Sequence, residues 1–174
     1  FYSLQGEGFH TGTPAVFVRF SGCNLKCSFC DTQHEEGVWM SDEEILAEVG
    51  KYPAVTVILT GGEPSLWIDR EFVDCLHWMG KYVCIETNGT HSLPDNIDWV
   101  TCSPKQGAKL CISRMDEVKV VYEGQDIAVY ESLPAGHFFL QPCSCSNTAE
   151  TVACVMQHPK WRLSLQTHKL IEIK

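Results

Sequence analysis

Three cysteines, Cys23, Cys27 and Cys30, fall within eight positions of the stretch SGCNLKCSFCDT. So polar a loop cannot bury three thiols, and exposed free thiols are reactive, so the spacing reads as a ligand set. Two chemistries fit it. With His34 the pattern becomes Cys-x3-Cys-x2-Cys-x3-His, which would close a tetrahedral zinc site. Without His34, three thiolates suit a cubane iron–sulfur cluster and leave one iron open to a substrate or cofactor. A second group, TGGEP at 60–64, sets two adjacent glycines beside a carboxylate; it would serve a ligand, a strand-to-helix turn, or both. One isolated charge completes the set. Arg19, inside the apolar run AVFVRF, requires an anion, either on a ligand or on a buried protein acid.

A strand and helix alternation must position these groups. Apolar runs at 15–20, 55–59, 81–86, 99–102, 117–122, 137–140 and 162–165 read as strands, several of them apolar throughout as strands covered on both faces are. Ser41 with Glu44, and Asn147 with Glu150, predict capping boxes at two helix starts, and REFVDCLHWMG predicts a third helix. Strand, helix, strand connections imply parallel pairing, hence an α/β sheet or barrel. Immediately after the strands come TGGEP, TNGT, SPK, QP and QTHK, and the cysteine loop follows the run at 15–20. In parallel architectures that edge carries the site. Of the remaining cysteines, Cys75 and Cys154 on helical faces and Cys84 and Cys102 in strands read as small hydrophobes. Cys143 and Cys145 stand beside the rim and could hold a metal only with further ligands such as Cys111.

The chain has 174 residues, 44% of them hydrophobic, enough for one packed domain over 1–174. With 22 acidic against 13 basic residues its net charge is -9, which argues against wrapping a nucleic-acid backbone and for small-molecule chemistry. No apolar run approaches the roughly 18 residues of a membrane span, and FYSLQGEG has no signal-peptide pattern, so no membrane partner and a cytoplasmic location are expected. Phe1 is not a natural initiator, so native N-terminal residues are expected to be missing.

Cys23, Cys27 and Cys30, with the aromatic Phe29 before the last cysteine, resemble the signature of the radical S-adenosylmethionine enzymes, and TGGEP resembles their methionine-binding motif. FYSLQGEG, CDT, ETNGT, SPK, LQP and WRLSLQTHK narrow the resemblance, in this order and over essentially the whole chain, to the 7-carboxy-7-deazaguanine synthase family. The resemblance implies an incomplete TIM-like β/α barrel of about six parallel strands with abbreviated helices, working as a homodimer. It implies a [4Fe–4S] cluster on Cys23, Cys27 and Cys30, and Mg2+ on Thr32. S-adenosylmethionine would be held by Gly61, Gly62 and Glu63, with Glu86, Asn88, Ser103, Lys105 and Gln141 around its ribose, carboxylate and adenine. The implied substrate is 6-carboxy-5,6,7,8-tetrahydropterin, gripped by Gln5, Gly6, Glu7, Gly8, Arg19, Thr60, Gln166 and His168. It would become 7-carboxy-7-deazaguanine with loss of ammonia, in queuosine and other deazapurine biosynthesis. A 5′-deoxyadenosyl radical takes the C6 hydrogen and later returns it, so no side chain is assigned as catalytic, and a flavodoxin or ferredoxin would donate the electron. The residues themselves leave open whether Glu86 and Lys105 contact the cofactor or pair with each other. They also leave open whether Asp31 touches the metal or holds its loop. Two other readings stand beside this one. A glycyl-radical activating enzyme would share the cluster loop and barrel but need a surface for a protein substrate. A non-enzymatic Cys3His zinc-binding interaction module would leave the strand-end motifs unexplained.

Overall fold

A computed structural model describes residues 1–32, 34 and 36–173. Eight strands pair in sequence order in one sheet. The first, β1 (Tyr2–Leu4), runs antiparallel to β2 (Pro14–Phe20). Then β3 (Thr56–Gly61), β4 (Tyr82–Thr87), β5 (Trp99–Cys102), β6 (Glu117–Tyr122), β7 (His137–Pro142) and β8 (Arg162–Leu163) each lie parallel to the strand before. Neighbours in space that are neighbours in sequence are the arrangement of a β/α barrel. Among the described residues β8 does not pair with β1, so the barrel is incomplete. The N-terminal loop bridges the gap: Gly8 N donates to Ser164 Oγ at 2.9 Å, and Thr167 N donates to Gly6 O at 2.9 Å.

The helices are few and short: α1 (Asp42–Val49), α2 (Arg70–Trp78), α3 (Thr148–Gln157) and α4 (Thr167–Leu170). The connections from β4 to β5 and from β5 to β6 contain no helix, and that from β6 to β7 only the 3-10 turn Ala128–Tyr130. The expected barrel with abbreviated helices therefore forms, with seven parallel strands rather than about six and an antiparallel strand too short for periodicity to reveal. At α1 both bonds of the predicted capping box are made, Glu44 N to Ser41 Oγ at 3.3 Å and Ser41 N to Glu44 Oε2 at 2.8 Å. The box predicted at α3 does not form. Asn147 instead accepts from Cys143 N at 2.8 Å and donates to Tyr122 O at 2.7 Å. Those backbone groups at the strand ends are sheltered, whereas water can satisfy the first N–H groups of an exposed helix end.

Alternation along the strands sorts two faces. Val57, Leu59, Val83, Ile85, Val118, Val120 and Leu140 face outward and pack with Phe72, Val73 and Leu76 of α2 in the main core. The opposite face turns into the barrel. Its lower layer is apolar, with Ala15, Phe17, Ile58, Cys84 and Trp99 packed together. Around Trp99 the rings of Phe9, His10 and His137 gather, with Phe9 4.8 Å from Trp99 and 4.4 Å from His137 between centroids and His10 edge-on to Trp99. Further toward the carboxyl ends of the strands, the inward positions become Arg19, Thr60, Glu86, Lys119 and Gln141.

Candidate active site

The carboxyl ends of the parallel strands open into a cavity of about 410 Å3. Cys23, Cys27 and Cys30 all line it. The cluster loop and TGGEP are joined by backbone bonds, Gly62 N to Phe20 O at 2.8 Å and Glu63 N to Gly22 O at 2.9 Å. A Cβ on Gly62 would stand 1.9 Å from Gly22 O, and Gly61 sits at φ +118 with Phe20 O 2.2 Å from its Cβ position. The two glycines therefore make the turn and also let the loops touch.

The chemistry of the three thiols fits a cluster: soft thiolates suit its irons, and a set of three leaves one iron open. Leu25 N lies 3.5 Å and Asn88 Nδ2 4.0 Å from Cys23 Sγ, the kind of N–H contact that tunes cluster sulfurs. Burial pushes the Cys27 thiol up, and the Lys105 ammonium opposes that. The donor set thus fits the cluster, with Cys23, Cys27 and Cys30 as its ligands. Cys84 and Cys102 are buried, and burial lifts both thiols, Cys102 to about 12, so they behave as inert core residues.

Glu63 departs from its expected place. Its side chain is wholly buried and does not line the cavity. Both oxygens are spent within the chain, accepting from Ser65 N at 3.1 Å, Thr87 Oγ1 at 2.7 Å and Asn88 N at 2.7 Å. It orders the start of the loop after β4 instead of facing a ligand amine. Asn88, Ser103, Lys105 and Gln141 do line the cavity. Lys105 donates to Ser103 Oγ at 2.6 Å and Ser103 O at 2.9 Å and stands over the Phe29 ring at 5.7 Å. Glu86 also lines it but does not pair with Lys105.

Its partner is Lys119, a residue for which the sequence reading assigned no role. Lys119 Nζ binds Glu86 Oε2 at 2.5 Å and Glu7 Oε2 at 2.6 Å. Gln5 Nε2 donates to Glu86 Oε1 at 2.8 Å, and Gln166 Nε2 donates to Glu7 Oε1 at 2.9 Å. Gln166 Nε2 also reaches Asp31 Oδ2 at 2.9 Å, which Lys169 Nζ approaches to 2.6 Å. Asp31 therefore clasps the cluster loop to the C-terminal segment. Burial alone would raise Glu7, but the adjacent Lys119 overcomes it and holds the carboxyl below its usual value. Burial would likewise depress Lys119, and the carboxylates of Glu7, Glu86 and Glu117 more than reverse that. Glu117 is the acid left over: burial lifts it to about 7, against the pull of Lys119. Its Oε2 accepts from Phe9 N at 3.0 Å while its Oε1 has no partner among the described residues. Charges at 117 and 119 share one strand face, the same signal that singled out Arg19, and it could have marked both.

Of the other substrate candidates, Gly6, Arg19, Thr60 and His168 line the cavity, as does Thr32. Gly6 passes so close to His168 that a Cβ would lie 2.1 Å from its Nδ1. Gly8 does not line the cavity; at φ +65 it backs onto Glu117, whose Oε1 lies 2.1 Å from the Cβ position. Arg19 sits at the exposed rim over the Phe1 ring at 5.4 Å, and among the described residues it makes no ion pair. No described helix is long and apolar enough to cross a membrane.

The fold and the thiol loop define a class, and comparison with known proteins agrees: the Radical SAM superfamily profile matches residues 17–101. The chain is thus a radical S-adenosylmethionine enzyme, whose cofactors are a [4Fe–4S] cluster and S-adenosylmethionine and which acts on a small molecule. It is 81% identical to the 7-carboxy-7-deazaguanine synthase of Bacteroides thetaiotaomicron, over 100% of this chain and 96% of the relative. It is 41% identical to that of Nitratidesulfovibrio vulgaris, over 99% of this chain and 96% of the relative. The crystal structure of QueE from Escherichia coli superposes with a TM-score of 0.79 at 31% identity, covering 95% of this chain and 90% of that one. The chain belongs to the 7-carboxy-7-deazaguanine synthase family.

Proposed function

We propose that the chain converts 6-carboxy-5,6,7,8-tetrahydropterin to 7-carboxy-7-deazaguanine with loss of ammonia. The observation that carries this reading is one cavity shared by the three thiols, an arginine with no described acid partner and a pair of carboxylates bound to one ammonium. Arg19 supplies a cation for the substrate carboxylate. Glu7, with Gln5, Gly6, Thr60, Gln166 and His168 around it, faces the pterin edge, whose adjacent N–H groups a carboxylate accepts. Glu86, expected beside the cofactor, is assigned instead to that edge because Lys119 ties it to Glu7. Gly61, Gly62, Asn88, Ser103, Lys105 and Gln141 contact S-adenosylmethionine, and Glu63 acts at one remove by fixing Asn88. When bound, the cluster and S-adenosylmethionine supply a 5′-deoxyadenosyl radical able to take a hydrogen atom from the substrate. The chain's part is to hold the reacting carbon in register and to keep water out. Thr32 offers a hydroxyl to Mg2+, which takes few protein ligands. A single domain over 1–174, as length and composition suggest, a homodimer, as the family resemblance implies, a cytoplasmic setting and a flavodoxin- or ferredoxin-like electron donor complete the proposal.

The test is anaerobic reconstitution followed by turnover. About four irons per chain are expected, by the stoichiometry of the cubane, with loss of iron in Cys23→Ala, Cys27→Ala and Cys30→Ala. 6-carboxy-5,6,7,8-tetrahydropterin with S-adenosylmethionine and a reductant should then yield 7-carboxy-7-deazaguanine. Full iron loading with no product would reject the substrate, and tight zinc without iron would reject the cluster.

A further inference from the structure

One ammonium binds two acids inside the barrel, with a third close by. Lys119, its side chain 4% exposed, touches Glu7 from the N-terminal loop and Glu86 from β4, while Glu117 lies two positions before it on the same strand face. Amide groups of Gln166 and Gln5 occupy the other oxygen of each paired acid, yet every carboxylate oxygen has two lone pairs, so both acids keep acceptor capacity toward the cavity. Without the ammonium, two carboxylates that now share one nitrogen would face each other with little water between them. Such a pair does not ionise fully at neutral pH.

We propose that Lys119 is a positioning residue for substrate recognition: it keeps Glu7 and Glu86 ionised side by side, so that two acids from distant segments act as one acceptor surface for adjacent N–H groups of a ligand. The inference rests on the substrate reading above for the ligand's identity, but the charge arrangement stands on geometry alone. It also accounts for a cation in the middle of a valine-rich parallel strand. A methionine there would fill similar volume and leave the acids unpaired. The other charged groups around the unit are Glu117 on β6, His10 and His168 near Glu86 and Glu7, Lys105 after β5, and Asp31 through Gln166.

The experiment places K119M in an E117Q background, so that the third carboxyl does not titrate. The folded double variant must retain a proton between Glu7 and Glu86 that its unfolded chain sheds. The melting-temperature gap between E117Q and K119M/E117Q should therefore widen as pH rises from about 5 to about 8. In parallel, calorimetry on anaerobically reconstituted protein without S-adenosylmethionine measures affinity for 6-carboxy-5,6,7,8-tetrahydropterin and for 7-carboxy-7-deazaguanine. E117Q should bind with little pH dependence. K119M/E117Q should bind roughly ten- to a hundred-fold more weakly near pH 6 and recover as pH rises and the shared proton leaves. A constant gap, or an unchanged affinity and pH profile, overturns the inference. A widening gap in protein that binds neither compound overturns the substrate reading and spares the pairing. If K119M/E117Q does not fold, adding E7Q removes one acid with the cation; the triple variant should fold, and its persistent failure to do so would overturn charge repulsion as the cause.

Discussion

Glu117 is a carboxyl whose proton the folded chain holds up to about neutral pH. Its pKa is lifted from 4.5 to about 7 by burial. Since the folded value lies above the unfolded one, its contribution to stability is complete below pH 4.5 and is lost as pH rises through about 7. The difference of about 2.5 units corresponds to roughly 3 kcal/mol, an order-of-magnitude figure. E117Q imitates the neutral acid, so its melting temperature relative to the natural chain should climb across that window. Parallel melting curves at all pH values would show that Glu117 ionises normally. At this scale the sequence reveals charges in improbable places, as with Arg19. It does not reveal partners. Glu63 sits in a motif that suggests ligand contact, yet its donors come from Ser65, Thr87 and Asn88, and only the fold brings the last two beside it. Glu117 and Lys119 alternate with valines as they would on a strand with one wet face, and only the curl of the sheet turns that face inward.

Strand β3 runs on through Thr60 and Gly61, so the first half of TGGEP belongs to the sheet and the second half to the turn. That extension keeps the loop after β3 against the loop after β2, and Gly62 is where they touch. Gly62→Ala would force a methyl against Gly22 O, a contact of 1.9 Å before relaxation. Overpacking of this kind costs about 1 to 3 kcal/mol. We expect a lowered melting temperature together with iron content well below that of the natural chain after reconstitution. A variant with normal melting and full iron would show that the loops tolerate separation. The strand and helix alternation was legible at this scale because apolar runs carry it. Ends and edges were not. Pairing at β8 is confined to Arg162–Leu163, within a predicted 162–165, because it has a neighbour on one side only. Ser164 and Gln166 then turn their side chains to Gln141 and Glu7. The missing cap at α3 has the same origin: Asn147 serves the strands, a use that no local pattern encodes.

Taken whole, the molecule has a polar well above a floor of packed rings. The parallel order of the strands and the side on which the well opens were both legible, since each strand announces its own carboxyl end with a polar motif. The floor was not, because it is made by the loop at 5–13 folding beneath the sheet, and loops of that kind carry no periodicity. Along β4 the candidate substrate contact Glu86 lies inside the strand, while Asn88 lies two residues beyond, roughly 7 Å nearer the opening at the rise of an extended chain. The rings of Phe9, His10, Trp99 and His137 pack toward the other end. A site entered from the carboxyl ends of the strands is loaded and emptied in turn, and what lies deeper leaves last. S-adenosylmethionine resting on Asn88 would thus trap the molecule beneath it. Its addition at saturating concentration should slow the escape of bound 7-carboxy-7-deazaguanine from reconstituted protein in a stopped-flow chase, and an escape rate indifferent to it would mean that the two compounds use separate doors.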